Sequence, residues 1–271
     1  MKVLFVGGGN MGAAIIGGLV SRGFAAGDIT VVEPGAAARE SLATRFGVAV
    51  RESAAGAPAA DVVVLAVKPQ QMREAVKPLL PVAPATLVVT IAAGIRLGDL
   101  SRWLGGHRAV VRAMPNTPAL VHAGVTGLYA PPEVDAAGRE AAGRLLAAVG
   151  EVVWLPREDD LDAVTAVSGS GPAYVFYFLE AVDEAARELG LEPAAARALA
   201  LATFAGAAKL ARERAEDPAV LRAQVTSKGG TTERALAAME AAGLKARVKE
   251  AVKAAAARSR ELGDEFGRDP P

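Results

Sequence analysis

The stretch MKVLFVGGGNMG at residues 1–12 decides the reading of the fold. Val3-Leu4-Phe5-Val6 is a continuous apolar run, the pattern of a strand covered on both faces. It passes directly into Gly7-Gly8-Gly9-Asn10-Met11-Gly12, which matches G-x-G-x-x-G with Gly7, Gly9 and Gly12 in the glycine places. A bare match is weak. Here it follows a strand, opens a helix-like segment at Ala13–Ser21, and precedes a second β-branched run, Ile29–Val32, that leads to Glu33. That is the context of a dinucleotide-binding turn. Gly7 permits the tight turn, Gly9 lets a pyrophosphate approach the backbone, and Gly12 lets helix and strand pack closely. The phosphates then meet free N–H groups and the positive end of the helix. Asn10 and Met11, inside the motif, join the cofactor-binding candidates.

Beyond this turn the first half keeps alternating short apolar runs with helical or turn segments. The runs are Val62–Val67, Leu87–Ile91, Ala109–Met114 and Val152–Leu155. Strands spaced by helix-length segments imply right-handed βαβ units and a mostly parallel sheet. The second half has almost no β-branched runs. Stretches rich in Ala, Leu, Glu, Arg and Lys, roughly Pro172–Leu189, Pro193–Glu213, Pro218–Val225, Thr232–Ala242 and Lys245–Leu262, predict helices. Prolines stand where first turns belong, and Gly190 and Gly243 where helices should stop. The expected organisation is an α/β Rossmann-like dinucleotide-binding domain over 1–157 and an all-α domain over 158–271, with a frayed tail at Gly267–Pro271.

Composition narrows the function. Thirty basic and thirty acidic residues cancel, against a general nucleic-acid binder, and there is no polybasic run for an anionic membrane. No run of 18 or more continuously apolar residues occurs, so no membrane span is expected, and the first apolar run is too short for a signal peptide. Cysteine is absent and only His107 and His122 are present, which removes thiolate chemistry and argues against a metal centre. A cytoplasmic protein is the expectation.

Glu33 bears on the dinucleotide. A carboxylate at the tip of the second strand accepts hydrogen bonds from a ribose 2′-hydroxyl and repels a 2′-phosphate, which favours NADH over NADPH. Arg39 either lies on a solvated helix face or, with Glu33 turned away, meets a phosphate. Ala66-Val67-Lys68-Pro69 ends the third clear strand, where Lys68 either reaches a ribose or phosphate or sits in water. Ala92-Ala93-Gly94 would leave room for a flat ring. Met114-Pro115-Asn116-Thr117-Pro118 is a stiff loop whose amide could orient a carboxamide or a water, or simply a proline-rich turn. In the helical half, Ser168-Gly169-Ser170-Gly171-Pro172 precedes a helix whose aromatics suit core or a subunit interface. Thr226-Ser227-Lys228-Gly229-Gly230-Thr231-Thr232 offers a small carboxylate site at a helix start, or a plain N-cap by Thr231 or Thr232. No acid/base pair stands out. Reduction of a protonated imine needs none of the usual base, because its carbon is already electrophilic.

These strings together resemble a pyrroline-5-carboxylate reductase nearly end to end: GGGNMG at 7–12, AVKP at 66–69, AAG at 92–94, MPNTP at 114–118, SGSGPAY at 168–174 and TSKGGTT at 226–232. The resemblance implies reduction of the cyclic imine pyrroline-5-carboxylate to L-proline with NADPH or NADH. It implies a helical dimerisation domain, a homodimer often assembled into rings such as a decamer, and an active site between one subunit's cofactor domain and the helical domains of the dimer. By that match Met114, Pro115 and Asn116 line the nicotinamide site, with Ala66, Val67, Lys68, Pro69 and Ala93 beside it. Val225, Ser227, Gly229, Gly230, Thr231 and Thr232 would hold the substrate. Thr232 would lie near the ring nitrogen as the leading catalytic candidate, joined by Ser227 and Lys68. Two departures stand out. Lys228 replaces the proline of the usual SPGG loop, and Ser53 stands where some members carry an asparagine that touches the adenosine ribose. A reductase of another cyclic imine, or a non-catalytic dinucleotide sensor, remains the alternative.

Overall fold

A computed structural model describes residues 1–214 and 216–268. Residues 269–271, part of the tail expected to fray, lie outside the described residues, whereas Gly267 closes the last helix. The first compact unit runs from Met1 to Ser170 and includes the chain from Ala255 onward; the second is Gly171–Ala254.

The first unit is built on one sheet of β1 (Val3–Val6), β2 (Ile29–Val32), β3 (Ala49–Arg51), β4 (Val62–Leu65), β5 (Leu87–Thr90), β6 (Val110–Met114), β7 (Gly124–Tyr129) and β8 (Gly150–Trp154). Their order is β3-β2-β1-β4-β5-β6-β7-β8. The first six are parallel, with Val3 opposite both Ile29 and Val62. β7 runs antiparallel to β6, pairing Tyr129 with Arg112, and β8 is parallel to β7. Both faces are covered. Val3 and Phe5 enter one core with Ile15, Ile16 and Leu145, while Leu4 and Val6 enter the other with Leu65, Met72 and Leu100. This is why the strands read as unbroken apolar runs.

Helices α1 (Asn10–Ser21), α2 (Ala36–Phe46), α3 (Met72–Val76), α4 (Leu97–Trp103), α5 (Ala136–Ala147) and α6 (Asp160–Val164) cover the sheet. Two strands escaped the sequence reading. β3 is a short edge strand, mostly exposed, with no apolar run. β7 holds two glycines and gains its form from pairing on both sides. After α6 the chain widens into a π-helical turn, Thr165–Gly169.

The second unit contains α7 (Gly171–Glu188), α8 (Pro193–Arg214), α9 (Pro218–Gln224) and α10 (Thr231–Ala241), and α11 (Leu244–Gly267) begins there. Gly190 and Gly243 take positive φ of 92° and 67° just past helix ends, as their placement predicted. α7 and α10 bury no residue in the single chain. α8 is long and apolar enough to cross a membrane by length and composition alone, with mean hydropathy 1.3. Its apolarity is largely alanine.

Candidate active site

The glycine loop joins β1 to α1 at the carboxyl ends of the parallel strands. Gly7 has φ of 103°, a left-handed conformation, and a Cβ there would lie 2.6 Å from the Ala66 carbonyl oxygen. A Cβ at Gly12 would lie 2.7 Å from the Gly7 carbonyl oxygen. Both glycines are therefore required by the backbone itself. Gly9 is different. It is the N-cap of α1 with ordinary extended backbone, and a Cβ there would meet no atom within 4 Å. The protein leaves that space open, so whatever requires glycine there is not the fold. The first intrahelical bond runs from Ala13 N–H to the Gly9 carbonyl, so the N–H groups of Asn10, Met11 and Gly12 have no acceptor in the helix. No acidic residue stands in this first turn. The arrangement fits a dinucleotide pyrophosphate.

Glu33 follows β2 and turns toward the loop. Its Oε2 accepts the Gly8 N–H at 3.0 Å and its Oε1 accepts the Gly35 N–H at 3.0 Å. The carboxylate is thus tied to the glycine loop and to the residue that starts α2. Arg39 folds back, donating from Nη1 to the carbonyls of Glu33 at 2.7 Å and Pro34 at 2.6 Å. Neither sequence reading of Arg39 describes this role, which is to brace the turn that carries Glu33. Ser53 is exposed, and its Oγ accepts the Ala55 N–H.

The remaining cofactor candidates lie at the same carboxyl end of the parallel strands. Ala66 and Val67 follow β4, and Lys68 is exposed ahead of a short turn begun by Pro69. Ala93 follows β5 and is half-buried. Met114 ends β6, and Pro115 and Asn116 are buried behind it. Asn116 Oδ1 accepts the Val125 N–H at 2.9 Å, which fixes the turn into β7 and leaves its NH2 for another partner. A Cβ at Gly169 would lie 2.6 Å from Met114 Cε, so the π-helical turn makes room for that side chain. π-helical turns cluster at functional sites.

The substrate candidates lie in the second unit, in the loop from α9 to α10. Val225, Ser227 and Gly229 are exposed. Gly229 has φ of 73°, and the Gly230 N–H donates to the Ser227 carbonyl at 3.1 Å. Gly230, not a threonine, is the N-cap of α10 and offers no side-chain cap. The first intrahelical bond is Arg234 N–H to the Gly230 carbonyl, so the N–H groups of Thr231, Thr232 and Glu233 are free of the helix. Two carboxyls elsewhere are held below the usual range by guanidinium hydrogen bonds, Asp160 by Arg157 and Glu265 by Arg258. Neither belongs to the candidate set. Among the described residues no group of three or more His, Asp or Glu could hold a metal.

Residues 158–262 match the family model described as pyrroline-5-carboxylate reductase dimerisation, and residues 2–94 match that of the NADP oxidoreductases, coenzyme F420-dependent. The pyrroline-5-carboxylate reductase of Pseudomonas aeruginosa is 49% identical over 98% of each chain, and that of Haemophilus influenzae 42% identical over 96% of this chain and 97% of the other. Among solved structures, the enzyme from Coxiella burnetii superposes with a TM-score of 0.90 at 39% identity, covering 96% of this chain and 98% of that one. The enzyme from Plasmodium falciparum with NADP bound gives 0.87 at 26% identity over 97% and 98%. This chain belongs to the pyrroline-5-carboxylate reductase family.

Against that family background, two features of the site went unread in the sequence. Glu233, at the third position of α10, accepts the Gly229 N–H at 2.7 Å through Oε2 and so ties the loop. A Glu at that position is a known N-terminal signal and was the clue available. Buried Arg112 on β6 pairs with Glu158 at 3.0 Å, and the same oxygen accepts the Leu97 N–H at 2.8 Å. Nothing local predicts that tie, because its members lie far apart in the chain. Lys228, the departure from the reductase loop, is exposed beside Gly229.

Proposed function

We propose that the chain reduces pyrroline-5-carboxylate to L-proline, the last step of proline biosynthesis, with a nicotinamide cofactor and with NADH favoured over NADPH. The observation that carries the cofactor half is the glycine loop: open N–H groups at Asn10, Met11 and Gly12, and free space over Gly9 that no protein atom uses. Gly7, Gly9, Asn10, Met11 and Gly12 would hold the pyrophosphate. Glu33 would take the ribose 2′-hydroxyl, and its fixed charge would disfavour a 2′-phosphate. Ser53 would lie by the adenosine ribose. Ala66, Val67, Lys68, Pro69, Ala93, Met114, Pro115 and Asn116 would border the nicotinamide.

When bound, the nicotinamide supplies a hydride to the imine carbon, turning C=N into C–N while the nitrogen keeps the proton of the iminium form. The loop Ser227–Thr232 would hold the substrate carboxylate on the free N–H groups at the start of α10, with Val225 against the ring. Thr232 would hydrogen-bond to the ring nitrogen and pass it, from solvent, the proton that makes the iminium form and that the nitrogen then keeps, with Ser227 and Lys68 assisting. The domains would be a dinucleotide-binding part over 1–157 and a helical dimerisation part over 158–271. Exposed Phe176, Tyr177, Leu199 and Leu201 suit burial by a second copy, because α7 buries nothing alone. Rings of such dimers, in the cytoplasm, complete the reading.

The test is loss of nicotinamide absorbance on adding pyrroline-5-carboxylate, run in parallel with NADH and NADPH. Substrate-dependent oxidation with proline as product is expected, with the higher kcat/KM for NADH. Binding of both cofactors without oxidation would overturn the imine assignment.

A further inference from the structure

The end of α11 packs on the first unit where Ala92-Ala93-Gly94 leaves β5. Gly94 has φ of 74°, and a Cβ on it would lie 3.1 Å from Phe266 Cδ2, 3.2 Å from Phe266 Cε2 and 3.4 Å from Leu262 Cβ. The backbone of the turn therefore rests directly against the ring. Phe266 packs on the core that contains Ala92, Ile95 and Leu97. Ala-Ala-Gly has almost no side chain with which to hold its own position. Ala92 N–H donates to Thr90 Oγ1 at 3.3 Å, tying the turn to the strand behind it.

Polar ties register the helix end on the same segment. Arg96, two residues past Gly94 and the N-cap of α4, pairs through Nη1 with Asp264 at 2.8 Å and donates from Nη2 to the Arg260 carbonyl at 3.4 Å. Arg102 Nη2 donates to the Gly267 carbonyl at 3.0 Å. Ser259 Oγ donates to Asp162 Oδ1 at 2.6 Å in a buried pair. These bonds set where the helix lies, and the Phe266 ring is what it presents to the turn.

We propose that Phe266 is a positioning residue for the cofactor cleft: it sets the height of the Ala92-Ala93-Gly94 turn and thereby the wall against which the nicotinamide rests. This rests on the reading of Ala93 as a cofactor contact. A terminal helix thus acts on cofactor affinity without touching the cofactor. The physical reason is that a small-residue turn moves when its backing is removed, and a displacement of an ångström at a binding wall is costly.

Three full-length variants test it: Phe266→Ala, Phe266→Leu and Ala93→Leu. For each, cofactor Kd is read by nicotinamide fluorescence, with both KM values, kcat and the urea midpoint. Phe266→Ala is expected to raise cofactor Kd and KM about tenfold, with the imine KM within about twofold. Phe266→Leu, which keeps apolar bulk under Gly94, should restore the affinity. If Phe266→Ala lowers only the urea midpoint, with Kd unchanged, the ring is packing alone and the inference falls. Should Phe266→Ala fail to fold, Phe266→Val is read in the same way. Ala93→Leu separates the two claims. If it leaves cofactor Kd unchanged, the underlying reading of the turn is wrong. If it weakens binding while Phe266→Ala does not, only the positioning role is refuted.

Discussion

Replacing Gly9 by valine should separate what the fold needs from what the ligand needs. Gly9 has φ of −65° and ψ of −176°, a region that β-branched residues adopt, and nothing lies within 4 Å of its would-be Cβ. The stability cost is then only that of a poor N-cap, about 0.5–1 kcal/mol. The binding cost is larger. A side chain over the open N–H groups of α1 would displace the pyrophosphate from at least two charge-assisted hydrogen bonds. At about 1.5 kcal/mol each they sum to about 3 kcal/mol, roughly a hundredfold in Kd. Urea denaturation and nicotinamide fluorescence read the two quantities separately. Gly12→Ala is the contrast. Its Cβ would stand 2.7 Å from the Gly7 carbonyl oxygen, inside rigid backbone, and should destabilise the fold by about 1–3 kcal/mol. A Gly9→Val protein with wild-type cofactor affinity would refute the assignment of the loop. One that lost as much stability as Gly12→Ala would refute the claim that the space over Gly9 belongs to the ligand.

Glu33→Ser frees the Gly8 and Gly35 N–H groups and removes the negative charge, so the NADPH-to-NADH ratio of kcat/KM should rise roughly tenfold, about 1.4 kcal/mol for partly exposed charges; an unchanged ratio sinks the role of Glu33. Thr232→Ala should lower kcat or raise the imine KM about tenfold while cofactor Kd holds, since in the proposed function it removes one hydrogen bond at the reacting nitrogen; steady-state kinetics at wild-type values would remove Thr232 from the mechanism. Glu158→Ala strands the buried Arg112 guanidinium and the Leu97 N–H together, and a loss of about 2 kcal/mol by urea denaturation is expected, with Arg112→Met/Glu158→Leu recovering much of it.

The sheet was legible because it is covered on both faces. Val3–Val6, Val62–Leu65 and Leu87–Thr90 bury every residue, so each reads as an unbroken apolar run whatever lies around it. β3 and β7 lack that protection from ambiguity. β3 is an edge strand with two exposed residues in three, and β7 contains Gly124 and Gly127, which local propensity counts against a strand. Gly127 is retained because a Cβ there would lie 2.8 Å from Val164 Cγ1, a contact 37 positions away along the chain that no window of sequence contains. The same logic explains the helices. Their starts and stops are written in Pro193, Pro218, Gly190 and Gly243, which act on their own backbone.

At the candidate site the division follows the same line. The glycine motif could be read because its spacing and its flanking strand and helix are local, although the close approach that requires Gly7 is made by Ala66, far along the chain. Glu33 could be placed by its offset from that motif, and it does reach the loop, at Gly8. What could not be read is the partner that a side chain chooses when several are near. Arg39 turns to two carbonyls of its own turn rather than to solvent or an incoming phosphate, and Glu233 rather than a threonine ties the loop before α10. Both choices have one physical cause. A short turn at the head of a helix leaves backbone groups that must be satisfied, and a charged side chain four to six residues on reaches them without cost to the helix. Such residues hold the shape of the loop and leave its open N–H groups, at Asn10–Gly12 and at Thr231–Glu233, for whatever anion the site receives.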